Sequence, residues 1–351
     1  MDSMSYKRNH SLDIARMVAT STVVMIHCSA TFVTNYKQYT SEFIFGNLFD
    51  SISRIGVPLF LMISGSLFLD EHREVTLKGI FLKNIKSIAI ITIIWAIIYS
   101  SVYKVIFPLL TSETINAKKF LNGIVNGHYH MWYLYMIIGL YIITPFLKKF
   151  VCKENKGMIL FFIIISLCVQ FFTPVINAIC ELGLNLSFIN TWLNKFHLDF
   201  FGGYITYFFV GWYIVHVGIK QKWIRYIIYS LGAISLLSIF FYVYFTCDYN
   251  NAYNNIGLPV FVYSVSVFLA LNNIRFNFKE KTAKKLMNLS KLTFGVYIIH
   301  VLVLSIYSKL FPYRRYSALY IVVCFAIVVC SSFLISYVIS KIPVLKKFIK
   351  A

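Results

Sequence analysis

Long apolar stretches separated by short polar segments run through the whole chain. A membrane-spanning helix needs about 20 mostly apolar residues, and a scan for such stretches predicts ten spans. The predicted spans cover residues 12–33, 44–69, 86–107, 131–150, 157–177, 199–219, 224–246, 256–273, 292–310 and 317–341. We therefore expect an all-α membrane protein, a polytopic bundle of about ten transmembrane helices that forms a single domain over residues 1–351.

The distribution of Lys and Arg predicts how these spans are oriented. With the N-terminus inside, the inner polar segments hold 23 of the 33 basic residues and the outer ones hold 8, while Arg16 and Arg54 lie within spans. Lys and Arg collect on the cytoplasmic side of membrane proteins. The pattern therefore predicts a multi-pass protein of the cell membrane, plasma or inner, with both termini in the cytoplasm.

Composition excludes a soluble globular enzyme. Apolar residues make up 59% of the chain and charged residues only 13%, against roughly 25% charged in an ordinary soluble domain. The formal net charge of +20 would suggest nucleic acid in a soluble protein, but here cytoplasmic loops explain it. We expect the lipid bilayer as a partner and no nucleic acid. The seven cysteines show no CxxC spacing, which argues against a metal site, and a Cys180–Cys247 disulfide stays open.

The first span carries the clearest set of ionisable residues, which are costly inside a membrane and mark functional positions. Arg16 and His27 are 11 residues apart, which places them on one helix face about 16 Å apart. Asp13 precedes Arg16 by three residues and can pair with it. The His27 imidazole suits proton transfer near neutral pH. A structural interpretation stays open, in which Arg16 reaches lipid phosphates and His27 packs against a carbonyl.

Basic residues also occur in and beside the next two spans. Arg54 lies near the middle of the second span, too deep to reach the surface, so it needs an acidic partner, a cavity or an anionic ligand. Lys83 and Lys86 stand three residues apart at the inner start of the third span. They could hold phosphates, although the tendency of basic residues to lie on the cytoplasmic side also explains them.

Polar aromatic residues and histidines mark the fourth and ninth spans. His130 and Trp132 open the fourth span, where an aromatic belt at the membrane interface explains Trp132. Tyr297 and His300 are three residues apart and share a face of the ninth span. They could donate hydrogen bonds into an internal cavity, and a core histidine whose bonds are satisfied explains His300 equally well.

Several of these stretches together resemble the membrane acyltransferase family three, which includes O-acetyltransferases of surface polysaccharides. Arg16 and His27 reproduce its Arg-x10-His motif, and SLDIAR looks like its LDxxR opening. GVPLFLMISGSLFL, HMWYLYMIIGLYIITP and FGVYIIH resemble later signatures of the family, in the same order. One departure is that Lys83 and Lys86 replace an Arg-x-x-Arg pair, which keeps the charge but loses the bidentate fork.

The resemblance implies a membrane-embedded O-acyltransferase. It would move an acyl group, acetyl above all, from cytoplasmic acetyl-CoA to a hydroxyl of a cell-envelope carbohydrate, a glycan or a glycolipid, without a metal. On this basis we expect catalytic roles for His27, Arg16 and Asp13, donor binding by Arg16, Arg54, Lys83 and Lys86, and acceptor binding by His130, Trp132, Tyr297 and His300.

Several alternatives stay open at this stage. His27 would act as a general base or as a transient acyl carrier. The donor could be succinyl-CoA, and neither the acceptor nor the oligomeric state is predicted. A transporter or exporter of a polysaccharide or small solute, or a membrane sensor with a degenerate site, would also fit ten spans with buried charges.

Overall fold

The computed structural model describes residues 10–181, 202–274, 276–313 and 317–349, and residues 183, 188, 189, 191 and 195 of the intervening stretch. Over these residues the chain is helical and contains no β-strand, which confirms the all-α class. The start of the predicted span 199–219 lies outside the described residues.

Thirteen helices account for most of the described chain. They are α1 (His10–Asn35), α2 (Ser41–Ser53), α3 (Gly56–Phe68), α4 (Leu77–Leu110), α5 (Ala117–Asn126), α6 (Trp132–Phe150), α7 (Lys156–Glu181), α8 (Tyr204–Trp212), α9 (Lys222–Thr246), α10 (Leu258–Asn273), α11 (Glu280–Ser290), α12 (Thr293–Leu310) and α13 (Ser317–Lys341). Short helical turns add Tyr129–Met131, Tyr213–Val217, Tyr249–Ala252 and Leu345–Phe348.

Seven helical segments among the described residues are long and apolar enough to cross a membrane. They are His10–Asn35, Ser41–Phe68, Leu77–Leu110, Ala117–Phe150, Lys222–Thr246, Thr293–Leu310 and Ser317–Lys341. Three shorter apolar helices, Lys156–Gln170, Tyr204–Val217 and Leu258–Asn273, lie where the other three spans are predicted. A multi-pass membrane protein is therefore confirmed, while the count of ten and the side of the termini stay predictions.

The second predicted span is interrupted rather than continuous. The chain turns at Arg54 and Ile55, between α2 and α3. Pro58 lies four residues after Arg54 and has no N–H group to donate to the Arg54 carbonyl oxygen. The regular pattern of helical hydrogen bonds is therefore interrupted at this point. The interruption holds the Arg54 side chain at a helix end.

The chain forms two compact units, each built from two segments. The first unit comprises Met1–Arg73 and Val151–Ser290, and in it α1 packs against α2, α3, α10 and α11. The second unit comprises Glu74–Phe150 and Lys291–Ala351, where α4 contacts α5 and α6, and α12 packs on α13. The prediction of a single domain is not tested by this division.

A reciprocal glycine contact joins α3 and α8 in the first unit. A Cβ atom on Gly65 would lie 2.2 Å from the carbonyl oxygen of Phe208, and one on Gly211 would lie 2.0 Å from the carbonyl oxygen of Met62. Only glycine allows two helices to approach this closely. This contact fixes α3, and with it the turn that carries Arg54.

Candidate functional site

Helix α1 carries the expected triad of Asp13, Arg16 and His27. The helix runs unbroken from His10 to Asn35, so regular spacing holds between Arg16 and His27. At 1.5 Å and 100° per residue, the two residues lie about 16 Å apart along the axis and about 20° apart around it. Both are half-buried. The helix therefore presents the guanidinium and the imidazole on one face.

Asp13 is the buried centre of this triad. Its side chain is 1% exposed, and the Arg16 Nη1 atom lies 3.4 Å from Oδ1. The Ser290 hydroxyl, at the end of α11, donates to the same oxygen at 2.8 Å. A buried carboxylate is stable only when it is paired and hydrogen-bonded. Asp13 therefore holds Arg16 in place and ties α11 to α1, and Ser290 is a contact that the sequence analysis missed.

Arg54 has the acidic partner that its depth requires. Its guanidinium forms an ion pair with Asp50, one helical turn earlier on α2. The Asp50 side chain is 1% exposed and that of Arg54 is 16% exposed. The guanidinium carbon also lies 3.9 Å from the centre of the Tyr253 ring, a cation–π contact. The structure thus places Arg54 in a charge-compensated cluster, and its expected role in donor binding stays a prediction.

Hydrogen bonds fix the ring that covers Arg54. The Tyr253 hydroxyl donates to the Asn47 side-chain oxygen at 2.7 Å, and the Ser51 hydroxyl donates to the same oxygen at 2.9 Å. The Asn47 amide nitrogen donates to the carbonyl oxygen of Phe240 at 2.9 Å. The Asn47 side chain therefore links Ser51, Tyr253 and the backbone at Phe240, and this network holds the Tyr253 ring in place within the first unit.

Lys83 and Lys86 lie at the start of α4 in the second unit. Both side chains are exposed, and Lys83 falls in a loosely wound turn, Ile80–Ile85. Neither forms an ion pair with any residue that the structure describes. The lysines therefore offer uncompensated positive charge, as phosphate binding requires, without a contact that identifies a ligand.

The second unit brings together three of the four residues expected to bind the acceptor. His130 is 2% exposed, Tyr297 4% and His300 0%. The Tyr297 hydroxyl donates to the His130 carbonyl oxygen at 2.6 Å. The rings of His130 and His300 lie 5.5 Å apart, nearly perpendicular. Residues far apart in sequence thus form one buried cluster, and their expected role in acceptor binding stays a prediction.

Trp132 does not join this cluster. Its side chain is 40% exposed, as expected for an aromatic residue at a membrane interface. His128 and Tyr99, which the sequence analysis did not select, occupy the place beside His130. The His128 and His130 Nδ1 atoms lie 3.0 Å apart, and the Tyr99 ring stacks on His128 at 4.6 Å.

One hydrogen bond orients the imidazole of His300. Its Nδ1 atom lies 3.2 Å from the carbonyl oxygen of Val296, one turn earlier on α12. A carbonyl oxygen only accepts, so Nδ1 carries the proton. In the neutral ring Nε2 is then the acceptor. The cluster can therefore position a hydroxyl donor by its ring nitrogens and phenols.

Neither a disulfide nor a metal cluster occurs among the described residues. All seven cysteines are free, so Cys180 and Cys247 are not linked in this structure. The described residues contain no group of three or more His, Cys, Asp or Glu side chains arranged to hold a metal ion. The prediction that the protein needs no metal is not tested by this observation.

Comparison with known proteins adds one decisive finding. The profile of an acyltransferase domain, that of acyltransferase family three, matches residues 9–338. The chain belongs to acyltransferase family three. The match spans both units of this family member and confirms the resemblance read from the motifs, so the protein is a membrane acyltransferase. No curated protein and no solved structure matches the chain.

Proposed function

We propose that this acyltransferase moves an acetyl group from cytoplasmic acetyl-CoA to a hydroxyl group of a cell-envelope carbohydrate. The observation that carries the proposal is the face of α1, where buried Asp13 holds Arg16 three turns from His27. An ionisable side chain is costly within a membrane span, which makes His27 on this face a candidate for a functional role. Membership of the family supports acyl transfer in general, and the residues of this face are the basis for the proposed mechanism.

His27 acts as the general base in this proposal. The oxygen of the acceptor hydroxyl attacks the thioester carbonyl carbon while the imidazole of His27 takes the hydroxyl proton. The new C–O bond forms as the C–S bond breaks, and the imidazolium returns its proton to the departing thiolate. A positioned base of this kind contributes about 10²- to 10⁴-fold to the rate. Covalent acyl transfer through His27 is the alternative to this general-base role.

In this proposal Arg16 interacts with negative charge on the substrates, and Asp13 holds Arg16 in position. The guanidinium of Arg16 is proposed to bind a donor phosphate or to stabilise negative charge that develops on the carbonyl oxygen. Asp13 is a positioning residue, since its carboxylate contacts Arg16 and Ser290. Its burial means that the pair stays formed when no substrate is bound.

The roles proposed for residues of the second unit rest on contacts within that unit. Lys83 and Lys86 are proposed to attract donor phosphates, since both are exposed and free of carboxylates among the described residues. His130, Tyr297 and His300 are proposed to bind the acceptor, because hydroxyl-rich ligands need convergent donors and acceptors. Trp132 is exposed and would act by stacking on a sugar ring.

Donor binding is the first test of this proposal. The purified protein in detergent is heated with acetyl-CoA, succinyl-CoA or no ligand, and its unfolding temperature is recorded. A ligand that binds only the folded state stabilises it by about 2.7 kcal/mol at 100 times its dissociation constant. We expect acetyl-CoA to raise the unfolding temperature of the wild type and to do so less in Arg16→Ala.

Arg225→Ala is the matched control, because Arg225 lies in the first turn of α9 and belongs to no cluster described above. We expect it to keep the full acetyl-CoA effect. Lys83→Gln and Lys86→Gln, with Lys118→Gln and Lys119→Gln as controls, test the second unit in the same assay. Wild-type protein that shows no shift with either acyl-CoA at millimolar concentration would overturn the assignment of the donor.

A further inference from the structure

The C-terminal segment of the second unit packs against helices of the same unit. The Trp95 indole Nε1 on α4 donates to the Phe348 carbonyl oxygen at 2.8 Å. The next residue, Ile349, is 2% exposed, and its Cβ lies 3.2 Å from where a Cβ on Gly295 would be. These contacts hold the turn Leu345–Phe348 against the helices of its own unit. The backbone that carries Lys346 and Lys347 is therefore held in place.

A cavity of about 680 Å³ lies beneath this turn. Lys341, Lys346 and Lys347 line it together with the hydroxyl-bearing Ser87 and Ser340, and Ile90 contributes to its apolar wall. The volume is that of a small-molecule site, which typically measures about 300–1,000 Å³. Lysine ammonium groups and serine hydroxyls are groups that bind a phosphate, so this set of lining residues suits an anionic ligand.

The charge around this cavity is not balanced from within the unit. The two segments of the second unit hold 16 basic residues and only two acidic ones, Glu74 and Glu113. Residues 291–351 contain no Asp or Glu at all. No acidic side chain lines the cavity among the described residues. An anionic ligand would therefore supply the missing counter-charge.

The apolar wall of the cavity continues along α4. Ile90, Ile93 and Ile97 follow one another at helical spacing, and they are 44%, 57% and 42% exposed. In a membrane protein such an exposed apolar stripe faces acyl chains. A ligand with a phosphate at the lysines and an acyl chain along this stripe would contact both parts of the surface.

We propose that this cavity binds the phosphate headgroup of an anionic phospholipid, with an acyl chain along the Ile90–Ile97 stripe. The shared chemistry is a phosphate on an amphiphile, which acyl-CoA also offers. The lining favours the lipid, because the apolar stripe continues directly from the phosphate-binding end. The proposal does not depend on the proposed function, although Ser87 of the lining directly follows Lys86, which is proposed above to attract donor phosphates.

Short-chain lipids provide the test in detergent solution. Dioctanoyl phosphatidylglycerol is titrated against dioctanoyl phosphatidylcholine and acetyl-CoA, and binding is followed by the unfolding temperature. The variant Lys341→Gln/Lys346→Gln/Lys347→Gln is compared with Lys104→Gln/Lys118→Gln/Lys119→Gln, which removes three exposed lysines that do not line the cavity. Each lysine near an anionic membrane surface is worth about 1 kcal/mol, so the cavity variant should bind phosphatidylglycerol about 100-fold more weakly.

The expected result is that phosphatidylglycerol binds more tightly than phosphatidylcholine, and that only the cavity variant loses this preference. If the triple variant does not fold, Lys341→Gln and Lys346→Gln alone should each weaken binding about 5-fold. Equal binding of both lipids, or full binding by the cavity variants, would overturn the proposal. Loss of acetyl-CoA binding with phosphatidylglycerol binding intact would assign the cavity to the donor instead and would equally overturn it.

Discussion

Asp50→Asn removes the negative charge from the buried ion pair at the break between α2 and α3. The substitution keeps the shape of the side chain but leaves the Arg54 guanidinium, 16% exposed, without a counter-charge. Breaking a buried pair by removing one partner costs about 3–5 kcal/mol, because the remaining charge is desolvated and uncompensated. We expect Asp50→Asn to lower the free energy of unfolding by this amount, less the cation–π contact with Tyr253, worth about 0.5–2 kcal/mol.

The double variant Asp50→Asn/Arg54→Met makes the prediction specific. It removes both charges at once, so we expect a stability close to that of the wild type. Because the two single substitutions together should cost about 4–9 kcal/mol and the double variant almost nothing, the coupling free energy between the two sites should also be about 4–9 kcal/mol. Unfolding of all four proteins in mixed detergent micelles, followed by tryptophan fluorescence, measures it. Additive effects of the two single substitutions would refute the charge-pair account.

The same variants decide what Arg54 does for the donor. If Arg54 binds a donor phosphate, the double variant should fold normally yet lose stabilisation by acetyl-CoA. If Arg54 serves only as the partner of Asp50, the double variant should keep that stabilisation. The double variant is needed because Arg54→Met alone leaves Asp50 buried and unpaired, which mixes loss of fold with loss of binding.

Four further substitutions test the packing within each unit. Gly65→Ala should cost about 1–3 kcal/mol of stability by overpacking. The control Gly139→Ala on α6, where nothing lies within 4 Å, should be neutral or stabilise by up to about 1 kcal/mol. Equal unfolding temperatures of the two variants would contradict the close contact at Gly65. Tyr297→Phe leaves the buried His130 carbonyl without its donor and should cost about 1–3 kcal/mol by the same measurement. Trp95→Phe should release the C-terminal turn and speed its removal by carboxypeptidase, and unchanged cleavage would show that the turn is held otherwise.

The helical architecture and the face of α1 could be predicted from sequence because both depend on local spacing. Apolar length alone locates the spans, and all ten predicted positions contain an apolar helix in the described chain. The pairing of Asp13 with Arg16 follows from a separation of three residues on an unbroken helix. The break at Arg54 was not predicted, because a proline near a span interior can kink a helix or end it.

The partners of Arg54 show where local reasoning stops. Asp50 lies four residues before Arg54, and helical spacing alone is enough to indicate this pair. Tyr253 lies on a distant part of the chain, and nothing local indicates that its ring covers the guanidinium. A buried charge in a sequence thus predicts that a partner exists, but only the fold identifies a distant one.

The sequence indicates three members of the His130 cluster, His130, Tyr297 and His300, but neither its other members nor its geometry. His130 and Tyr297 are 167 residues apart, so their contact depends on tertiary packing. The turn Tyr129–Met131 precedes α6. His130 in this turn is buried, whereas Trp132 at the start of α6 is exposed. Helical spacing alone does not give these directions, because the residues before α6 do not follow its regular winding.

Acetyl transfer by His27→Ala tests the central claim most directly. Membrane vesicles that contain wild-type protein, His27→Ala or the neighbouring control Thr31→Ala are supplied with radiolabelled acetyl-CoA, and label in envelope carbohydrate is counted. We predict that His27→Ala loses about 10²- to 10⁴-fold in transfer rate while its amount, unfolding temperature and acetyl-CoA binding match those of the control. Full transfer activity in His27→Ala would contradict the account, because no general base or acyl carrier would then be needed at that position.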